Sequence, residues 1–241
     1  MAHDLDHSHS HMVHVHRDVQ GGAERAAIFG VSDGLVSNVA LILGVAAAAE
    51  GGSSVVIAGL SGLLAGAASM AAGEYVSMKA QAELVERELE RERESLATNP
   101  GAETRELAKI YESRGVDPEQ ARDIAKAVMA DPEVALEVHA REELGVNPDE
   151  VGNPVLASVS SFVAFAIGAL LPLLPWFFTE GNTATIYSVL VGLGASAAVG
   201  VALASFTKRS AFRTAARQVI LAAAACAATF AVGSLLGATV V

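Results

Sequence analysis

The sequence predicts an all-α integral membrane protein with five transmembrane helices and a charged helical domain inserted after the second. Three observations carry this. The chain of 241 residues is 52% hydrophobic yet only 5% aromatic. Its charges avoid five windows, residues 26–49, 53–78, 155–178, 183–207 and 218–241. The first holds only Asp33 and the second only Glu74, and the other three hold no Asp, Glu, Lys or Arg. Windows of about 24 residues have the length a tilted membrane helix needs, and a soluble core helix is rarely apolar all round for so long. The third observation is where the basic residues lie. Arg17 and Arg25 precede the first span, ten Lys and Arg lie in residues 79–141, and Lys208, Arg209, Arg213 and Arg217 lie beside the last loop. Five spans put these three segments on one face, which the positive-inside rule makes cytoplasmic. The expected layout is a tail at 1–20, spans one and two in 21–78, a cytoplasmic domain in 79–153, and spans three to five in 154–241.

Residues 1–16 hold six of the seven His, with Asp4 and Asp6. Closely spaced imidazoles can bind transition metals without a fold, although a solvated tail is the plainer reading. The polar N-terminus shows no cleavable signal peptide. The single Cys226 lies in the fifth span and defines no disulfide framework.

Span one reads IFGVSDGLVSNVALILGV. A carboxylate deep in a membrane helix costs roughly 2.5–3.5 kcal/mol on insertion scales. Asp33 is therefore expected to face a partner or a wet cavity, with Ser37 one turn on and Asn38 adding an oxygen nearby; the alternative is an interfacial cap. In span two, Met70, Glu74 and Met78 recur at i, i+4, i+8 on one helical face. A carboxylate between thioethers combines hard and soft ligands, which suits a borderline ion such as Fe²⁺ better than Mg²⁺ or Ca²⁺, while Met alone is more often packing.

No Pro interrupts residues 57–96, and the last Gly there is Gly73. One helix is expected to run through span two and on into water as a charged rod. Residues 79–150 carry nineteen acids against ten bases. Further helices are expected at 102–114, 118–129 and 132–144, with Asn99-Pro100-Gly101 and Asp117-Pro118 marking turns. Glu103 and Glu106 stand at i, i+3; His139 and Glu143 stand at i, i+4, with Glu142 on the next strip. Carboxylates and an imidazole from several helices can build a divalent-metal cluster, against the alternative of solvated faces with pairs such as Glu83–Arg87. Pro172 and Pro175 kink or end span three, and Trp176 is expected as an interfacial anchor. The small residues of spans two, four and five, among them Gly59, Gly62 and Gly66, read as packing surfaces.

Nothing here forms a nucleophile–base pair, a phosphate loop or a zinc motif, so an enzyme is not expected, and a net charge of −11 argues against nucleic acid.

The segments FGVSDGLVSNVALILGV, AGAASMAAGEYVSMKAQAE, ELAKIYESRGV and EVHAREELG resemble the vacuolar iron transporter family of Fe²⁺/Mn²⁺ exporters, in its bacterial branch. That resemblance implies a homodimer with its pathway at the subunit interface and proton-coupled export of metal from the cytosol. It places the family's membrane metal ligands on Asp33 and Met70 and its cytoplasmic carboxylates on Glu92, Glu103, Glu106 and Glu143. Three positions depart from the family pattern. Ser95 replaces a carboxylate, His139 stands where plant-like members have Met, and Gly62 stands where they have a membrane Glu whose role Glu74 could take. The function expected is an exporter of Fe²⁺ and Mn²⁺, with Zn²⁺, Co²⁺ and Ni²⁺ as further candidates, in a bacterial plasma membrane and without a prosthetic group. The alternatives are a membrane-anchored metal buffer or sensor, and a uniporter.

Overall fold

A computed structural model describes residues 22–48, 51–148 and 152–240. The His-rich tail, read as solvated with metal capture as the alternative, lies outside the described residues. Among those described, all regular structure is helical: α1 (Gly22–Ala48), α2 (Gly52–Thr98), α3 (Pro100–Ser113), α4 (Pro118–Val128), α5 (Pro132–Glu142), α6 (Pro154–Leu173), a 3-10 turn (Leu174–Phe177), α7 (Gly181–Thr207) and α8 (Ala211–Val240). Five of these, α1, α2, α6, α7 and α8, are long and apolar enough to cross a membrane.

The second span and the rod are one helix of 47 residues, roughly 70 Å long at 1.5 Å per residue. It extends beyond the expected 57–96 at both ends, because the first break lies at Gly51, where φ is 125°, and the last at Asn99-Pro100. Its apolar half packs along α6 and α1, and its charged half along α5.

Helix α1 is the centre of the apolar bundle, lying against α6, α8, α2 and α7. Glycine lets it approach so closely. A Cβ on Gly34 would collide with the Phe165 carbonyl of α6, and one on Gly168 with the Val31 carbonyl of α1. Such backbone-close crossings are how apolar helices associate in lipid.

Span three ends rather than bends. Helix α6 carries Pro172 and stops at Leu173, and Pro175 sits in the 3-10 turn. Trp176 is not the interfacial anchor expected. It is 7% exposed and packs with Ile42, Val55, Leu173 and Ala184, because the turn folds it back onto the bundle.

The domain of α3–α5 starts its helices with a repeated device. Asp117 and Asp131 each accept two backbone N–H bonds ahead of a Pro in the first turn, the favoured arrangement at a helix N-terminus. Its small core is Leu107, Ala108 and Ala125, with Tyr111, Val128 and Val138 against them. This core holds α3 and α5 against the rod, which positions the first site.

Candidate metal centres

The rod and two short helices bring Glu92 (α2), Glu103 (α3), His139 (α5) and Glu143 (just beyond α5) together, with one ligand atom from each within 4.8 Å of the others. Ligands at about 2.0–2.2 Å from a common ion lie about 3.4 Å apart in a tetrahedral site and at most roughly 4.4 Å apart when opposed, so the side chains would have to draw inward to seat one. His139 is fully buried, Glu92 is 8% exposed and Glu103 7%. Glu143 completes the group from the solvent side.

The internal contacts leave several polar atoms of this group without a hydrogen-bond partner. His139 Nδ1 lies 3.0 Å from Glu92 Oε1 and 3.6 Å from Glu143 Oε2. Yet neither imidazole nitrogen, nor Glu92 Oε1, makes a hydrogen bond of acceptable geometry. Buried polar atoms are nearly always paired, and unpaired ones carry a desolvation cost. Side chains that converge without bonding one another are arranged as ligands are. Burial pushes the Glu92 carboxyl above its ordinary range. The neighbouring charge of Glu143 raises it further, His139 opposes, and Glu103 and Glu106 add smaller upward pushes. A bound divalent ion would reverse that logic.

The two acids expected to share a face are separated by their surroundings. Glu103 points into the cluster, while Glu106 is exposed and stands outside the four. Glu142 instead pairs with Arg114 and ties α5 to α3. Ser95, where the family pattern has a carboxylate, donates from Oγ to Glu103 Oε1 at 2.5 Å. It fixes the Glu103 carboxylate, a contact its spacing did not signal.

A second site lies within the apolar bundle. Helices α1, α2 and α6 enclose an open-sided cavity of about 330 Å³ lined by Asp33, Ser37, Asn38, Gly62, Ser69 and Met70. The cavity exists because α2 is small-residued there and because Phe165 of α6 fills only its inner wall. Asp33 is exposed in the single chain, and Met70 is half-buried.

Of the three residues expected on one face of α2, only Met70 lines this cavity. Glu74, one turn toward the rod, has Oε1 3.5 Å from Arg25 Nη2 of α1. Met78 is buried against Ala26 and Ala157. The Arg25 partner is 49 positions away in sequence, so no local pattern announced it.

Sequence comparison decides the kinship. The VIT family's sequence model matches residues 24–234. The chain belongs to the VIT family. Relatives of this VIT protein include "Vacuolar iron transporter 1" of Oryza sativa subsp. japonica, 33% identical over 225 residues, spanning 92% of this chain and 89% of that protein. "Vacuolar iron transporter 1" of Arabidopsis thaliana is 31% identical over 87% of this chain and 84% of its own length. "Vacuolar iron transporter" of Acanthamoeba castellanii is 41% identical over 62% of this chain and 54% of its own length. Each of these names is that of a vacuolar protein, so they lend no support to a bacterial plasma membrane.

Proposed function

We propose that this VIT protein transports divalent transition metal, Fe²⁺ foremost and Mn²⁺ with it, out of the cytosol in exchange for protons. The observation that carries the reading is the cavity that sets Asp33 beside Met70 inside a bundle otherwise almost free of charge. An intramembrane carboxylate is costly unless it meets a cation, a proton or a polar partner. With a thioether beside it, the pair offers a hard and a soft ligand, which favours first-row transition ions over Mg²⁺ or Ca²⁺. The names of the relatives, which specify iron, support the same cargo.

In this reading the charged domain is cytoplasmic, as the Lys/Arg asymmetry supports. Glu92, Glu103, His139 and Glu143 collect the ion, and Glu106 adds negative potential at the surface. Glu74, paired with Arg25, stands one turn from Met70 on the side of the rod and receives the ion next. Asp33 and Met70 then hold it within the membrane. A carboxylate binds either a metal or a proton, and that competition is the minimum chemistry for exchange. Asp33 and the apolar residues Ile57, Leu64 and Val76 of α2 are exposed in the single chain, which supports a homodimer that encloses the pathway.

The test is transport by Asp33→Asn protein in proteoliposomes. The reading expects loss of Fe²⁺ and Mn²⁺ flux with folding and metal binding by the charged domain intact. Parental flux from well-folded Asp33→Asn protein would return Asp33 to a structural cap.

A further inference from the structure

The α1–α2–α6 cavity contains a polar atom that the reading above does not use. Asn38 is 2% exposed, and its Nδ2 donates to the Ala169 carbonyl of α6 at 2.6 Å. A carbonyl can only accept, so this bond fixes which end of the amide faces α6. The other end, Oδ1, is buried and has no hydrogen-bond partner, and the residue lines the cavity with Asp33 and Met70. The neighbouring Ser37 hydroxyl donates to the Asp33 backbone carbonyl at 2.6 Å. Across the cavity stands Gly62, where a Cβ would lie 3.1 Å from Asn38 Oδ1. Glycine at that position places no side-chain carbon against the oxygen.

We propose that Asn38 Oδ1 is a direct ligand of the divalent cation held in this cavity, beside the Asp33 carboxylate and the Met70 thioether; this rests on the transport reading above. A buried amide oxygen without a donor is satisfied by a cation. Being neutral, it adds a hard ligand without adding charge to the site or a group that must lose a proton first. Each chain thereby supplies one anionic oxygen, one neutral oxygen and one sulfur. Such a mixture fits a first-row divalent ion better than an all-oxygen ion or an all-sulfur one. The bond to Ala169 holds the oxygen in place before the ion arrives, so little ordering is needed on binding.

The experiment measures Mn²⁺ uptake against Mn²⁺ concentration in proteoliposomes for the parent, Asn38→Leu and Gly62→Ala. Asn38→Leu removes the oxygen and its anchor together. Gly62→Ala leaves the Asn38–Ala169 bond in place and sets a methyl group 3.1 Å from the oxygen, in the space a bound ion would need. That methyl also meets Leu41 Cδ2, the end of a side chain that can turn aside. The proposal expects KM to rise at least tenfold in Asn38→Leu and severalfold in Gly62→Ala, with thermal stability of Gly62→Ala unchanged. A folded Asn38→Leu protein with the parental KM overturns it. So does a raised KM in Asn38→Leu with a parental KM in Gly62→Ala, which would make Asn38 a helix-positioning residue only. If Asn38→Leu fails to fold, Gly62→Ala decides alone, a raised KM supporting the proposal and a parental one overturning it. A parent protein that moves no ion overturns the transport reading itself, and the inference with it.

Discussion

Substituting Glu103 and Glu106 of α3 one at a time separates a ligand from a bystander. Glu103 is 7% exposed and lies within 4.8 Å of three other ligand groups, whereas Glu106 is exposed and reaches the cluster only through its field. Glu103→Gln keeps the volume and an oxygen that can still accept from Ser95, so the helices should stay in place. It removes one of three carboxylates. Losing even a group that merely supports a ligand typically weakens metal binding about 10–100-fold. Loss of the ligand itself should reach roughly 100-fold, or about 2.8 kcal/mol at 1.4 kcal/mol per tenfold. Glu106→Gln removes a solvent-screened charge, worth at most about 1 kcal/mol, and should weaken binding less than about fivefold. Calorimetric titration of the full chain in detergent with Mn²⁺, alongside circular dichroism, reads both values. Equal losses in the two variants, or unchanged binding in Glu103→Gln, would refute the assignment of Glu103 to the cluster.

Other outcomes follow from the same structure. The raised Glu92 carboxyl holds its proton more tightly folded than unfolded, so metal-free protein should lose stability as pH rises from about 4.5, the ordinary carboxyl value, through the raised folded value. Metal affinity should rise over that same interval, because proton and metal compete for the group; melts with chelator and with Mn²⁺ at several pH values check both signs. Gly34→Ala forces a methyl against the Phe165 backbone and should abolish a monodisperse, thermally stable preparation. Gly73→Ala, which meets nothing within 4 Å, should be neutral or stabilising by up to about 1 kcal/mol, and thermal shift in detergent compares the two. A thiol at Ser53 should label from outside intact cells and one at Gly101 should not, and the reverse pattern would invert the orientation.

The long elements were legible because their signals are local. Charge-free windows, the unbroken run through Gly73 into the rod, and Asp-Pro turns each report on the solvent or backbone a few residues away. The clusters depend on which faces meet. Glu92 is one of several acids along the rod, and only the packing of α5 against α2 distinguishes it from exposed Glu94. Its spacing said nothing, and it entered through family resemblance alone. Glu103 and Glu106 share a strip at i, i+3, yet only Glu103 turns toward Ser95. Arg25 and Glu74 meet because α1 and α2 run side by side, a fact that neither segment encodes alone. Asn38 was visible as an oxygen near Asp33. Its fixed orientation required the Ala169 carbonyl, 131 positions away.

Transport of metal through the Asp33–Met70 cavity against protons, as proposed above, ties the two sites to one function. The most direct measurement is Fe²⁺ and Mn²⁺ flux in proteoliposomes, with and without an imposed pH gradient, for the parent and Asp33→Asn. Flux in the parent should accelerate when protons run opposite to the metal, vesicle acidity should change in step, and Asp33→Asn should show no flux. Flux indifferent to the gradient would contradict exchange and leave a uniporter. No flux in the parent, with metal still bound by the charged domain, would contradict transport and leave a membrane-anchored buffer.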